Sequence, residues 1–234
     1  MIENQLYKIV SSKIFSHPRK RFGRFLRGYL KSRQVGIVSI GEPSALIEEI
    51  KREREMLLED DEARNIYLAV ISTEIIPGDI AEVGVYQGGS AKLICAAKKG
   101  KHLHLFDTFE GLPPPSQKDN SVFHKAQFAC SLEEVQRYLV KYEKVCFHKG
   151  IVPLSAKPVE KNCFSFVHLD VDLYKSTLDC LSFFYPRLSK GGVLISHDYP
   201  LSLGVKRAFD EFFRDKPEPI LRISFNQCLI VKMD

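Results

Sequence analysis

Two apolar runs in this 234-residue chain stop on acids. Phe164-Ser165-Phe166-Val167-His168-Leu169 leads directly into Asp170-Val171-Asp172-Leu173-Tyr174, and Gly191 to Ser196 leads into His197-Asp198-Tyr199. Both runs read as buried strands of a parallel sheet, which carry continuous apolar character. A carboxylate at the end of a buried strand is costly unless a cation, a metal or a reacting proton compensates it. Asp170, Asp172, His197 and Asp198 are therefore the first candidate site. Several oxygen ligands around one point suit a hard divalent cation such as Mg²⁺. A cation on a substrate hydroxyl lowers its pKa, and a neighbouring carboxylate can then take the proton.

A second constellation lies upstream. Glu82-Val83-Gly84-Val85-Tyr86-Gln87-Gly88-Gly89-Ser90 leaves one strand and enters a helix. Glycines let the backbone turn tightly and approach a ligand. Their positions do not match the G-x-G-x-x-G dinucleotide fingerprint. Glu82 would repel a pyrophosphate and welcome a cation. Some twenty-five residues on, Asp107 ends the next strand, where an acid typically accepts hydrogen bonds from ribose hydroxyls. A ligand with a ribose and a positive charge but no phosphate fits S-adenosylmethionine. The competing reading is a glycine turn that only packs a helix, with Glu82 paired to a lysine.

These residues need elements to hold them. Strands are expected at 80–85, 102–106, 145–148, 164–169 and 193–196. Helices are expected at 90–99, from the Ser131 capping box to about Tyr142, at 176–188 and at 205–213. Gly100 would close the first of these helices. Segments 220–224 and 228–232 read as a closing antiparallel pair. Residues 46–76 read as two charged helices, the second capped by Asp60-Asp61, with Ile66, Ala69, Val70 and Thr73 on its inner face. The alternation implies an α/β fold, a Rossmann-like doubly wound and mostly parallel sheet. The loop 107–130, with Pro113-Pro114-Pro115 and His124, is long enough to be read as a lid.

Composition bounds the remainder. The chain is 44% hydrophobic and 27% charged, which is ordinary for a globular domain. It has no apolar run of the roughly 20 residues that a membrane span needs, and no signal-peptide pattern. Its six cysteines are scattered rather than paired in metal or redox motifs. A reducing cytoplasm is the expected location. The formal charge of +5 is uneven: residues 1–33 hold nine Lys or Arg against Glu3 alone, leaving the rest at −3. The chain thus divides into a basic arm and linker, 1–45, and a body, 46–234, in which 77–234 is the Rossmann-like core. The arm is read as a helix docked on the body or on a partner subunit in a homo-oligomer. Peripheral contact with anionic lipid is the alternative, and nucleic acid is the least favoured.

Four stretches carry a family resemblance: Pro77 to Gly89, Asp107-Thr108-Phe109-Glu110-Gly111-Leu112-Pro113, Leu169 to Thr177, and Tyr185 to Gly192. With Gly204 to Phe212, they make the chain resemble the macrocin O-methyltransferase family of class I methyltransferases, from about residue 60 to 232. The resemblance implies S-adenosylmethionine as donor and a sugar-like hydroxyl acceptor. It implies donor contacts at Glu82, Gly84, Tyr86, Gly88, Gly89, Ser90, Asp107, Thr108 and Asp170. Ser131 and Gly150 fall where the family holds the adenine end. Asp170 and Asp198 match metal ligands, and Asp172 matches the general base. His197 departs from the family, whose sugar-modifying members have a third acid there. Two readings stand: His197 ligates a metal, which favours Mn²⁺, Fe²⁺ or Zn²⁺ over Mg²⁺, or it is itself a base oriented by an aspartate without a metal. Tyr174 and Tyr199 are expected to line the acceptor pocket. The rival functions are a catechol-type methyltransferase and a non-catalytic membrane-associated protein that retains the fold.

Overall fold

Runs that are apolar on both faces need cover on both faces, and helices packed on a parallel sheet supply it. In a computed structural model, which describes residues 43–234, the seven strands are β1 (Asp79–Val83), β2 (Leu103–Asp107), β3 (Val145–Lys149), β4 (Phe164–Leu169), β5 (Leu188–His197), β6 (Leu221–Arg222) and β7 (Gln227–Val231). They lie in the order β3-β2-β1-β4-β5-β7-β6. The first five are parallel, and β7 runs antiparallel to both β5 and β6. All six residues of β4 are buried. The expected doubly wound sheet and its closing antiparallel pair are both present. The basic arm, with the lipid or subunit contact read from it, lies outside the described residues. Among the described residues no helix is long and apolar enough to cross a membrane.

Among the described residues six α-helices flank the sheet: α1 (Ser44–Glu53), α2 (Asp60–Ser72), α3 (Gly89–Ala97), α4 (Leu132–Tyr138), α5 (Tyr174–Phe184) and α6 (Leu203–Phe212). The core between sheet and helices is aromatic. Phe184 of α5 meets Phe106 and Phe164 edge-on, with centroids at 5.6 and 5.2 Å. Each ring contributes about 1.5–3 kcal/mol by its burial. Ile66, Ala69 and Val70 of α2 and Thr73 at its C-cap are buried, as their helical spacing required.

Several boundaries move for identifiable reasons. The N-cap of α2 is Glu59, which forms a capping box with Glu62; Asp60 instead pairs with Lys51 at 2.8 Å. Lys99 takes the left-handed φ of 51° beyond α3, so Gly100 is not the closing residue. Helix α4 stops at Tyr138, and α1 already begins at Ser44. The strand order reverses between β1 and β4: the chain leaves β1 toward β2, and β4 adds on the other side. In open α/β sheets, ligands bind in the crevice at such a switch point, outside the carboxyl ends of the strands.

Candidate active site

The crevice outside β1 and β4 holds a cavity of about 320 Å³. Its wall includes the glycine turn after β1, Asp107 at the end of β2, and Asp170, Asp172, His197 and Asp198 after β4 and β5. Residues far apart in the chain thus meet at one place, because parallel strands bring their carboxyl ends to a common edge.

Asp107 organises the side of the cavity where the donor was expected. Its Oδ2 accepts the backbone N–H of Val85 at 2.7 Å and of Tyr86 at 3.1 Å, and its Oδ1 accepts that of Phe109 at 2.7 Å. One carboxylate therefore holds the turns after β1 and β2 in place. Gly84, Tyr86, Gly89, Ser90, Thr108 and Gly150 line the cavity as expected. The need for glycine at 84 is steric: its φ is +87°, and a Cβ there would sit 1.8 Å from the Asp170 carbonyl oxygen.

Three expected donor contacts sit elsewhere. Glu82 is fully buried inside the sheet, where its Oε1 lies 3.0 Å from His168 Nδ1 on the neighbouring strand. Burial pushes its carboxyl up, and His168 partly offsets this. A histidine in register, rather than a bound cation or a lysine, compensates this acid. Gly88 takes a left-handed φ of 84° at the N-cap of α3 and faces Val135, outside the cavity wall. Ser131 caps α4 by accepting the Glu134 N–H at 3.3 Å, and does not reach the cavity. The two tyrosines expected at the acceptor pocket also turn outward: the Tyr174 hydroxyl donates to Glu211 at 2.6 Å and that of Tyr199 to Asp210 at 3.3 Å.

The acid cluster gathers as expected, by a different route. Strand β4 ends at Leu169, so alternation along it does not bring Asp170 and Asp172 together. Asp172 and Asp198 instead adopt left-handed φ values of 58° and 64°, a region that Asp tolerates better than most residues. His197 sits at the hub. Its Nε2 lies 3.1 Å from Glu62 Oε2, and its Nδ1 lies 3.4 Å from both Asp170 Oδ1 and Asp198 Oδ1. Burial alone would depress the imidazolium. The charge of Asp170 and the contacts with Asp170, Asp198 and Glu62 outweigh it and hold the ring well above its usual range. Both nitrogens face carboxylates, so no lone pair is turned toward a substrate hydroxyl. With both of its nitrogens engaged in this way, His197 is less well placed than Asp172 to act as base.

The cluster has more negative charge than its own residues balance. Four carboxyls, those of Glu62, Asp170, Asp172 and Asp198, surround one imidazole. Burial first, then the charges of Asp170 and Asp198, pushes Asp172 up to about 9. Asp198 is held below its ordinary value because His197 outweighs the burial. The ligand atoms of Asp170, His197 and Asp198 all lie within 4.8 Å of one another. A donor set of two carboxylates and one imidazole, short of positive charge, fits a divalent cation.

Some of the wall had gone unnoticed in the sequence. Glu55, Met56, Leu57 and Leu58, between α1 and α2, cover the glycine turn. The Tyr86 hydroxyl donates to Glu55 at 2.6 Å, tying this strap down. The long loop after β2 contributes Gly111, Leu112, Pro113, Phe123, Gln127 and Phe128. It is pinned from outside by Asp119, which accepts the Tyr174 N–H at 2.6 Å, and by Asn120, which accepts that of Leu203 at 2.7 Å. Asn226 donates to Asp198 at 2.9 Å. The loop after β2 had been expected as a lid, and Glu62 too left a trace in sequence: it is an acid on the same helical face as Ile66, Ala69 and Thr73.

Comparison with known proteins points the same way. The sequence model of a family described as macrocin-O-methyltransferase (TylF) matches residues 61–228. A relative from Streptomyces olivaceus, 8-demethyl-8-(2,3-dimethoxy-alpha-L-rhamnosyl)-tetracenomycin-C 4'-O-methyltransferase, is 31% identical over 142 residues, covering 54% of each chain. Demethyldecarbamoylnovobiocin O-methyltransferase from Streptomyces niveus is 29% identical over 153 residues, covering 58% of each. The chain thus spans little more than half the length of these curated relatives. The solved structure of the O-methyltransferase NovP superposes with a TM-score of 0.67 at 25% identity, covering 76% of this chain and 82% of that one.

Proposed function

Because the chain belongs to the macrocin-O-methyltransferase (TylF) family, we propose that it is an S-adenosylmethionine-dependent O-methyltransferase acting on a hydroxyl of a sugar or glycosylated small molecule, assisted by a divalent cation. The observation that carries this reading is the shared cavity: the turn held by Asp107 and the cluster around Asp172 line one space. The relative named for a rhamnosyl acceptor supports a sugar hydroxyl.

The residues divide the work. Gly84 and Gly89 let the backbone approach the donor, and Asp107 holds that backbone while facing the space a ribose would fill. Burial and the neighbouring charges push Asp172 up; with those charges offset by a cation held beside it, Asp172 is a carboxylate and takes the proton of the acceptor hydroxyl. The oxygen forms its bond to the sulfonium methyl carbon as the carbon–sulfur bond breaks, leaving a neutral thioether. Asp170, His197 and Asp198 would hold the cation, which when bound lowers the pKa of a coordinated hydroxyl. The strap from Glu55 to Leu58 and the loop after β2 keep water away from the charges, which strengthens every electrostatic contact inside.

The test is methyl transfer by the full chain from labelled S-adenosylmethionine to a panel of rhamnosyl and other glycosides, with catechols alongside. Product on a glycoside, lost on adding EDTA and restored by Mg²⁺ or Mn²⁺, is the expected result. Turnover of catechols alone would transfer the enzyme to the phenol class. Failure to bind the donor at millimolar concentration would support the non-catalytic reading instead.

Asp107→Ala is expected to weaken binding of S-adenosylhomocysteine. Hydrogen bonds to a charged group contribute about 1.5–3 kcal/mol, so the dissociation constant should rise roughly 10- to 150-fold. Calorimetry on the folded variant measures this. An unchanged dissociation constant would remove Asp107 from the donor site.

A further inference from the structure

We infer that Glu62 is a positioning residue: it fixes which nitrogen of His197 faces the cation site, and the Glu62–His197 pair sets a preference for Mn²⁺ over Mg²⁺. The inference rests on the reading of Asp170, His197 and Asp198 as cation ligands.

Glu62 belongs to α2, outside the strand ends that supply every other member of the cluster. It is 3% exposed, and a buried carboxylate is costly unless it is paired. Its Oε2 accepts the Glu59 N–H at 3.0 Å and faces His197 Nε2 at 3.1 Å, while its Oε1 accepts the Ser224 hydroxyl at 3.1 Å. With three partners around it, the carboxylate is fixed in place. It accepts from Nε2–H, so a cation that displaced one of the ring's protons would displace the one on Nδ1. Nδ1 would then be the ligating nitrogen, and it is the one that faces Asp170 and Asp198 at 3.4 Å. A carboxylate that receives the far N–H of a ligating histidine fixes its tautomer and raises its basicity.

The same geometry explains why residue 197 is a histidine. An acid there would press against Glu62 across about the same gap with no proton between them. Glu62 and His197 therefore form a matched pair: one makes sense only with the other. Exchanging an oxygen ligand for an imidazole shifts preference away from Mg²⁺, which favours oxygen, toward Mn²⁺ and the later metals.

The experiment uses Mn²⁺ as the probe on the full-length chain. Pulsed electron paramagnetic resonance reads ¹⁴N coupling to the bound ion, and titration with Mg²⁺ competition reads affinity. Wild type is expected to show nitrogen coupling and to bind Mn²⁺ more tightly than Mg²⁺. Glu62→Ala should weaken Mn²⁺ binding about 10- to 100-fold. Glu62→Gln should lose less, since its amide oxygen still accepts the Nε2 proton. Thermal melts identify variants that have failed to fold. His197→Asp should abolish the coupling and turn the preference toward Mg²⁺. In that background Glu62→Gln should tighten cation binding, because it removes one acid facing another. A merely structural role for Glu62 would not reverse sign between the two backgrounds. Folded Glu62 variants that bind Mn²⁺ like wild type would overturn the inference. Wild-type Mn²⁺ without nitrogen coupling would overturn it while sparing the ligand reading of the aspartates. Absence of any cation binding by wild type would overturn both.

Discussion

Asp172→Asn is expected to lower methyl transfer by about 10²- to 10⁴-fold, the usual contribution of a positioned general base, while donor affinity stays within about threefold of wild type. The two side chains are nearly isosteric, and Asn tolerates the left-handed φ of 58° as well as Asp does. The backbone turn should therefore survive. Asn cannot take a proton from a hydroxyl, which is the function assigned to this residue. Burial, together with the charges of Asp170 and Asp198, pushes Asp172 up to about 9, so the folded state disfavours its charged form, and Asn removes that penalty. Thermal stability should hold or rise. Activity, donor calorimetry and a melt on one preparation separate these effects. Normal turnover by the variant would mean that another group accepts the proton.

The parts legible in the sequence were those with local causes. Strand β4 was readable to the residue, Phe164–Leu169, because a strand buried on both faces is mostly apolar and this run stops abruptly on acids. The charged residues ending β4 and β5 were readable because acids there break the apolar pattern. The reason they converge was not. Alternation along a strand suggested that Asp170 and Asp172 share a face, whereas two left-handed turns beyond the strand ends bring the carboxyls together. Glu82 was legible as an anomaly, but its compensation was not. His168 stands beside it through the register of β1 with β4, and register is a tertiary fact. Ser131 and Gly88 show the opposite limit: local propensity was satisfied by a helix cap and a helix start, so a second role in binding had no geometric support. The strap at Glu55 to Leu58 and the reach of Glu62 to His197 depend on how α1 and α2 dock. Nothing in the neighbouring residues specifies that docking.

Gly84→Ala is expected to abolish donor binding and to destabilise the fold, because two strand ends meet at this residue without room for a methyl group. Gly84 N–H donates to the Phe106 carbonyl at 2.9 Å, and Asp170 N–H donates to the Val83 carbonyl at 2.9 Å. The first bond ties the exit of β1 to β2, and the second draws the exit of β4 onto β1. A Cβ on Gly84 would lie 1.8 Å from the Asp170 carbonyl oxygen and 2.7 Å from its carbon. Both are backbone atoms, so no side-chain rotation relieves the clash. A left-handed φ adds about 1–2 kcal/mol for an alanine, and overpacking typically adds about 1–3 kcal/mol more. Relief must come from moving either the turn that Asp107 holds or Asp170 itself, so the donor cradle and the acid cluster are disturbed together. Gly100→Ala is the matched control: nothing lies within 4 Å of its added Cβ, and its melting temperature and donor affinity should stay near wild type. A Gly84→Ala protein that bound S-adenosylhomocysteine with undiminished affinity would show that the donor does not depend on this turn.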